Sequence, residues 1–142
     1  MMRVYTDGAS RGNPGPGAIA YIITDTAGSV LRQNAKFIGA CTNNIAEYSA
    51  LILALGEAAK IGREAACFSD SQLMVSQLKG EYKVKKGHLR ELFDEIKRLE
   101  KKFKKIEYHN VRRTDPMIKK ADRMVNEVLD AVAKAQKILS KH

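Results

Sequence analysis

Four acidic residues stand where their chemistry is out of keeping with their neighbours. Asp7 follows a short strand-like run over residues 3–6, although Asp is disfavoured in strands. Glu47 lies one turn into a helical segment and four residues before Leu51, close to a buried stripe. Asp70 closes an apolar run over 65–69, and Asp122 sits between Ala121 and Val125 near the core face of a last helix. In open α/β sheets, ligand sites gather at the carboxyl ends of strands, and Asp7 and Asp70 both fall there if their strands run parallel. Buried like charges repel and are costly to desolvate unless something compensates them. A divalent cation is the simplest compensator, and Mg²⁺ prefers carboxylate oxygens, water and phosphate oxygens. No His/Cys set with zinc spacing competes for the role. Each acid also has a plainer reading: Asp7 as a turn residue, Glu47 as a first-turn partner of the helix dipole, Asp70 as a helix cap, Asp122 as an exposed residue.

The elements that must position these acids follow from periodicity and punctuation. Residues 3–6 read as a strand, the Gly/Pro cluster at 12–17 as a loop, and 18–24 and 30–38 as a hairpin joined by a turn at 25–29. Thr42, Asn43 and Asn44 are good helix openers, and the helix they start runs to about Ile61 and stops at Gly62. Its centre, Ala50-Leu51-Ile52-Leu53-Ala54-Leu55, is apolar all round, so the helix is expected to be covered. Residues 65–69 read as a buried strand, 71–78 as a short helix, 88–104 as a helix with the stripe Leu89, Leu92, Phe93, Ile96, Leu99, and 106–111 as a last strand. Asp115-Pro116 marks a turn or helix start. The final helix carries Ala121, Val125, Val128, Val132, Ala135 and Leu139 on one face. The order βββαβααβα argues for a mixed sheet flanked by helices.

With 142 residues, 44% of them apolar, the chain fits one domain with a real core. The first 78 residues carry six Lys/Arg and six Asp/Glu, whereas residues 79–142 carry 19 and 10, so the whole net charge of +9 lies in the second half. A one-sided basic surface suits a polyanion such as nucleic acid, or is a solvated helix face. Cys41 and Cys67 form no framework and read as reduced thiols, which points to a cytoplasmic protein. The opening residues do not read as a signal peptide, because charge and turn residues arrive by Asp7 and Gly8. No apolar run reaches the ~18 residues a membrane span needs.

Four segments resemble, in order, the motifs of the type 1 ribonuclease H family. Tyr5-Thr6-Asp7-Gly8-Ala9-Ser10-Arg11-Gly12-Asn13-Pro14-Gly15-Pro16-Gly17 is similar to the family's opening motif, and Thr42-Asn43-Asn44-Ile45-Ala46-Glu47-Tyr48 to its T-N-N-x-x-E element. Ser69-Asp70-Ser71-Gln72 resembles its D-S-Q element, and Ala121-Asp122-Arg123-Met124-Val125-Asn126 its A-D-x-x-A-N element. The resemblance implies an α/β ribonuclease H-like fold, a five-stranded mixed sheet (three antiparallel strands, then two parallel) flanked by helices, in a single domain over residues 1–142. It implies that Asp7, Glu47, Asp70 and Asp122 form one metal site holding two Mg²⁺ ions, with Mn²⁺ as a substitute. The implied activity is endonucleolytic hydrolysis of the RNA strand of RNA–DNA hybrids, one ion helping to generate the attacking hydroxide and the other stabilising the leaving 3′-oxygen. Ser10, Asn13, Asn43, Asn44 and Gln72 match positions that contact the nucleic-acid backbone near the cut, where reading a 2′-hydroxyl tells RNA from DNA. Asn13 is equally a turn residue, and Asn43 and Asn44 helix caps. No membrane role and no obligate protein partner is implied, and a monomer is expected.

Two departures mark a subgroup. Many members carry a mobile His in the loop before the last acid; here residues 111–120 hold none, and Val111-Arg112-Arg113-Thr114 is similar to the V-P-R-E-like stretch of compact members, which makes Arg113 the candidate for an auxiliary role. His109 reads as a strand residue and His88 as surface. The chain has no Trp, and Gly80-Glu81-Tyr82-Lys83-Val84-Lys85-Lys86-Gly87 resembles the G-E-Y-x-V-K stretch of the handle-less prokaryotic and archaeal-like subgroup. Lys83, Lys85 and Lys86 either hold phosphates or form a solvated loop. Two other classes stay open on the residues alone: a non-catalytic nucleic-acid-binding module, and another nuclease of the same fold, such as a junction-resolving enzyme.

Overall fold

A computed structural model describes residues 1–141. Five strands and four helices follow one another as β1 (Met2–Ser10), β2 (Gly15–Thr24), β3 (Val30–Cys41), α1 (Asn43–Ala58), β4 (Glu64–Ser69), α2 (Gln72–Leu78), α3 (His88–Glu100), β5 (Lys105–Asn110) and α4 (Pro116–Leu139). The sheet order is β3-β2-β1-β4-β5. The β1–β2 and β2–β3 pairs are antiparallel, and the β1–β4 and β4–β5 pairs parallel, as the order of elements predicts.

Period-2 alternation sorts the strands' side chains into two cores. Val4, Tyr21, Ile23 and Cys67 pack under α1 and α3 with Leu51, Leu55 and Ile96. Tyr5, Ala20 and Ile22 meet Ile118, Ala121, Val125 and Leu129 of α4 on the opposite face. The apolar centre of α1 is largely covered: Ala50, Leu51, Ala54 and Leu55 are buried, while Ile52 and Leu53 are half-buried against the same core.

Several boundaries differ from the sequence expectation for local physical reasons. β1 continues through Asp7 to Ser10, because β2 pairs with it along that whole stretch. Gly15–Gly17 belongs to β2 rather than to the loop, with a register shift at Gly17/Ala18. α1 ends at Ala58, and Ala59 to Ile61 form a closing turn in which Gly62 N–H donates to Ala58 O at 3.0 Å. α3 stops at Glu100, and a turn then carries Phe103 into the core and Lys104 N–H onto Arg63 O at 2.7 Å. α4 keeps its apolar face only as far as Val132. Ala135 is exposed and Leu139 is 73% exposed, because a helix of 24 residues overhangs the strands beneath it.

One buried polar contact ties the two helices that lead from the acids. Tyr48 O–H donates to Gln77 Oε1 at 2.5 Å, and both residues are buried. Tyr48→Phe removes the donor and leaves the Gln77 carbonyl without a partner, which costs about 1–3 kcal/mol. Thermal denaturation is expected to show a lower Tm with an unchanged far-UV spectrum; an unchanged Tm would mean the bond contributes nothing net.

Candidate active site

The parallel register brings two of the four acids side by side. Tyr5 pairs with Phe68, so two residues further on Asp7 and Asp70 emerge on the same face at the carboxyl end of the sheet. β4 ends at Ser69, and beyond Tyr5 the β4 side of β1 has no strand neighbour. The Gly8 N–H exposed there is taken by Glu47, donating to its Oε1 at 2.6 Å. Glu47 reaches this edge because α1 lies almost on the backbone of β1. A Cβ at Gly8 would stand 2.4 Å from the Ala46 carbonyl oxygen and 2.8 Å from the Glu47 nitrogen. Asp122 lies on α4, exposed, one turn after the buried Ile118 and beside the buried Ala121.

Carboxylate oxygens of Asp7, Glu47 and Asp70 lie within 4.8 Å of one another. Asp122 lines the same cleft from its α4 wall but stands outside that close group. The plainer readings of Asp7, Glu47 and Asp70 fall away here, whereas Asp122 is exposed, as its plainer reading has it, while lining the cleft. Asp7 is inside a strand, Glu47 lies beyond the first turn of a helix whose N-cap is Thr42, and Ser71, not Asp70, caps α2 through Met74 N–H.

The electrostatics are those of an uncompensated site. Burial, with the charges of Asp70 and Asp122 added, pushes the Asp7 carboxyl from 3.8 up to about 8 against the pull of the Gly8 N–H. Glu47 is raised well above the usual carboxylate range, by burial first and then by Asp7 and Asp70. Asp70 is raised by burial, with the Arg113 guanidinium opposing. Asp7 Oδ2 is buried without a hydrogen-bond partner. An orphaned buried carboxylate oxygen facing two further carboxylates, an all-oxygen donor set, fits a hard divalent cation.

A carboxyl held high in the folded state binds its proton more tightly there than in the unfolded chain, so its stabilising contribution is present below about pH 4 and is lost as pH rises to about 8. Metal-free protein is therefore expected to melt lower at pH 8 than at pH 5. Asp7→Asn should raise the metal-free Tm at pH 8 by at least about 4 °C, with little change near pH 4. Scanning calorimetry in a chelator checks this, and equal shifts at both pH values would contradict it.

Ser10, Asn43, Asn44 and Arg113 line the cleft. Ser10 N–H donates to Asn43 Oδ1 at 2.8 Å, and its hydroxyl faces the carbonyls of Gly12, Gly15 (3.0 Å) and Cys41 (2.6 Å), so it serves to shape the loop. Asn13 is exposed and outside the lining, and its Oδ1 accepts from Asn43 N–H at 3.2 Å. Gln72 is exposed in the first turn of α2 and does not line the cleft, whereas Ser71 does. Arg113 is 92% exposed, its Nε 3.6 Å from Asp70 Oδ2, a loose surface pair of small energetic weight. His109 lies exposed in β5 and His88 exposed at the start of α3. Arg11 and Asn126 also line the cleft; the sequence carries them inside the opening motif and the A-D-x-x-A-N element without marking either as a site residue. Asn126 could have been found, since it stands one helical turn beyond Asp122.

The chain matches the family described as "Reverse transcriptase-like" over residues 5–135. It is 40% identical over 134 residues to the "Bifunctional protein Rv2228c" of Mycobacterium tuberculosis, covering 93% of this chain and 36% of that protein. It is 37% identical over 130 residues to the "Ribonuclease HI" of Halobacterium salinarum, covering 91% and 64%. The chain thus spans about a third and just under two thirds of these curated relatives. Among solved structures, LC11-RNase H1 in complex with an RNA/DNA hybrid superposes with a TM-score of 0.88 at 37% identity, over 94% of this chain and 99% of that one.

Proposed function

We propose that this chain, which belongs to the type 1 ribonuclease H family, hydrolyses the RNA strand of RNA–DNA hybrids. The observation that carries the reading is the convergence of carboxylate oxygens of Asp7, Glu47 and Asp70 within 4.8 Å, with an unpartnered buried oxygen on Asp7 and with Asp122 on the same cleft, near enough to push the Asp7 carboxyl up. Asp7, Glu47, Asp70 and Asp122 would hold divalent metal, in our reading two Mg²⁺ ions with Mn²⁺ able to replace them. Such ions, when bound, polarise the scissile phosphate, lower the pKa of water and stabilise a leaving oxygen.

The protein's own share is positioning. The Gly8 N–H fixes the Glu47 carboxylate, and the parallel register fixes Asp7 against Asp70. Asn43 and Asn44, at the first turn of α1, present amide groups to the cleft rim, where a shallow groove with its 2′-hydroxyls would lie. Ser10 and Asn13 hold the β1–β2 loop against Asn43 and so support the same rim. Gln72 and Ser71 at the start of α2 would meet the nucleic-acid backbone beyond Asp70. Exposed and close to Asp70, Arg113 is free to swing to a phosphate near the cut.

All four acids come from one chain, which supports action as a monomer. The described strands share one sheet, which supports residues 1–142 as a single domain. Both cysteines are free and buried, in keeping with the cytoplasm, and no helix among the described residues is long and apolar enough to cross a membrane.

The test is a substrate panel at fixed Mg²⁺: RNA–DNA hybrid, double-stranded DNA, double-stranded RNA, single-stranded RNA and a four-way DNA junction. Cutting of the hybrid's RNA strand alone is expected. Cutting of the junction without the hybrid would replace the reading with that of a junction-resolving nuclease.

A further inference from the structure

We propose that Arg11 is a pre-oriented phosphate-contact residue for the nucleic-acid backbone, aimed by two residues of α4; this rests on the ribonuclease reading above. Arg11 leaves the end of β1 on the loop before β2 and lines the cleft. Of the residues lining that cleft, four are acids and only Arg11 and Arg113 are cationic. The two differ in how they are held. Arg113 projects into solvent, 92% exposed, with one long contact. Arg11 is 40% exposed and is tied down through a single nitrogen: its Nη2 donates to Asp130 Oδ1 at 2.6 Å and to Asn126 Oδ1 at 3.2 Å, and lies 3.5 Å from Asn126 O.

That leaves a specific surplus. A guanidinium carries five N–H donors in a rigid fork. Among the described residues the Nε and Nη1 donors of Arg11 have no protein acceptor. An exposed ion pair alone is worth little, so the Arg11–Asp130 contact is a weak explanation for placing a cation on an acidic cleft. Its consequence is orientation: with Nη2 anchored, the free Nε and Nη1 donors have their rotamer freedom already reduced. A phosphodiester is the ligand that suits these donors: Nε and Nη1 lie on different edges of the fork, so each can give one charge-assisted hydrogen bond to an anionic phosphate oxygen. Asn126 donates in turn to Asp122 O at 3.0 Å, so the anchor sits on the same turn of α4 that carries the fourth acid. The phosphate in contact with Arg11 therefore flanks the cluster on its α4 side, and Arg11 sets where the backbone lies relative to the acids.

The test measures binding and turnover separately. Affinity of metal-free protein for a labelled RNA–DNA hybrid is read by fluorescence anisotropy over a series of salt concentrations, beside steady-state cleavage in Mg²⁺. Arg11→Ala is expected to weaken hybrid binding by roughly tenfold and to reduce the slope of log K against log salt by up to about 0.9, the loss of one phosphate contact. In turnover the loss should fall on KM more than on kcat. Asp130→Ala, which frees the guanidinium without removing it, is expected to give a smaller rise in KM with the salt slope kept. Arg11→Lys keeps the charge but loses the planar group that α4 anchors, and should lie between Arg11→Ala and wild type. Unchanged affinity and slope in Arg11→Ala would overturn the assignment. So would a fall in Tm matched by equal effects of Arg11→Ala and Asp130→Ala on every readout, which would make the contact a brace only. If wild-type protein binds the hybrid but cuts nothing, the ribonuclease reading fails while the salt slope still decides the role of Arg11.

Discussion

Asp7→Asn should reduce Mg²⁺-dependent cleavage of an RNA–DNA hybrid by roughly 10³-fold or more while leaving the fold intact. The magnitude follows from the several kcal/mol of transition-state charge stabilisation that bound metal supplies, each 1.36 kcal/mol being a factor of ten in rate. Asp7 is the member whose loss should cost most, because it is adjacent to all three of the others. Its carboxylate groups with Glu47 and Asp70 within 4.8 Å, and Asp70 and Asp122 are the charges that push it upward. Asparagine preserves shape and removes charge, so the variant separates chemistry from architecture. It should lose cleavage while its metal-free form becomes more stable at pH 8. A variant that retains full cleavage would show that the cluster is not where metal acts, and a variant that unfolds would show that the charge is tolerated for a structural reason. Single-turnover kinetics together with circular dichroism distinguish these outcomes.

Gly8→Ala carries the second large effect, and it acts through geometry alone. The added Cβ would meet the Ala46 carbonyl oxygen at 2.4 Å and the Glu47 nitrogen at 2.8 Å, both backbone atoms of α1. Neither can swing aside as a flexible side chain would, so α1 must move off β1. Overpacking of this kind typically costs about 1–3 kcal/mol, and backbone neighbours place it at the upper end. The same shift withdraws the Glu47 carboxylate from the Gly8 N–H. Cleavage should therefore fall by about 10²-fold or more, beyond what lost stability explains, since displacing a catalytic group by about 1 Å can cost that much. The rise in Tm on adding Mg²⁺ should shrink with it. Wild-type cleavage and an unchanged Mg²⁺ shift would mean that α1 approaches β1 less closely in solution, and that Glu47 does not depend on this contact.

The readable part of this protein was the part whose signals are local. Each acid sits beside its own positioning element: Asp7 in a strand that a loop of glycines and prolines follows, Glu47 one turn past the Thr42 cap, Asp70 at a strand end before the Ser71 cap, Asp122 beside Ala121. The order of strands and helices was enough to expect a mixed sheet. What escaped was set by contacts between distant segments. Arg11 meets Asp130 across 119 residues, and nothing near Arg11 in the chain announces that partner. The length of β1 depends on β2 continuing beside it, so Asp7 reads in sequence as following the strand and lies within it. The apolar stripe of α4 continues to Leu139 in sequence, while the strands beneath it do not. Periodicity reports which face could be buried, not how far a neighbour extends to bury it.

The most direct measurement is incubation of the wild-type chain with a hybrid labelled on each strand in turn, with Mg²⁺ and again with a chelator. Cleavage confined to the RNA strand, present with metal and abolished without it, is the expected result. Equal cleavage in the chelator, or scission of the DNA strand, would contradict the assignment of the four-acid cleft to metal-dependent hydrolysis of RNA in hybrids.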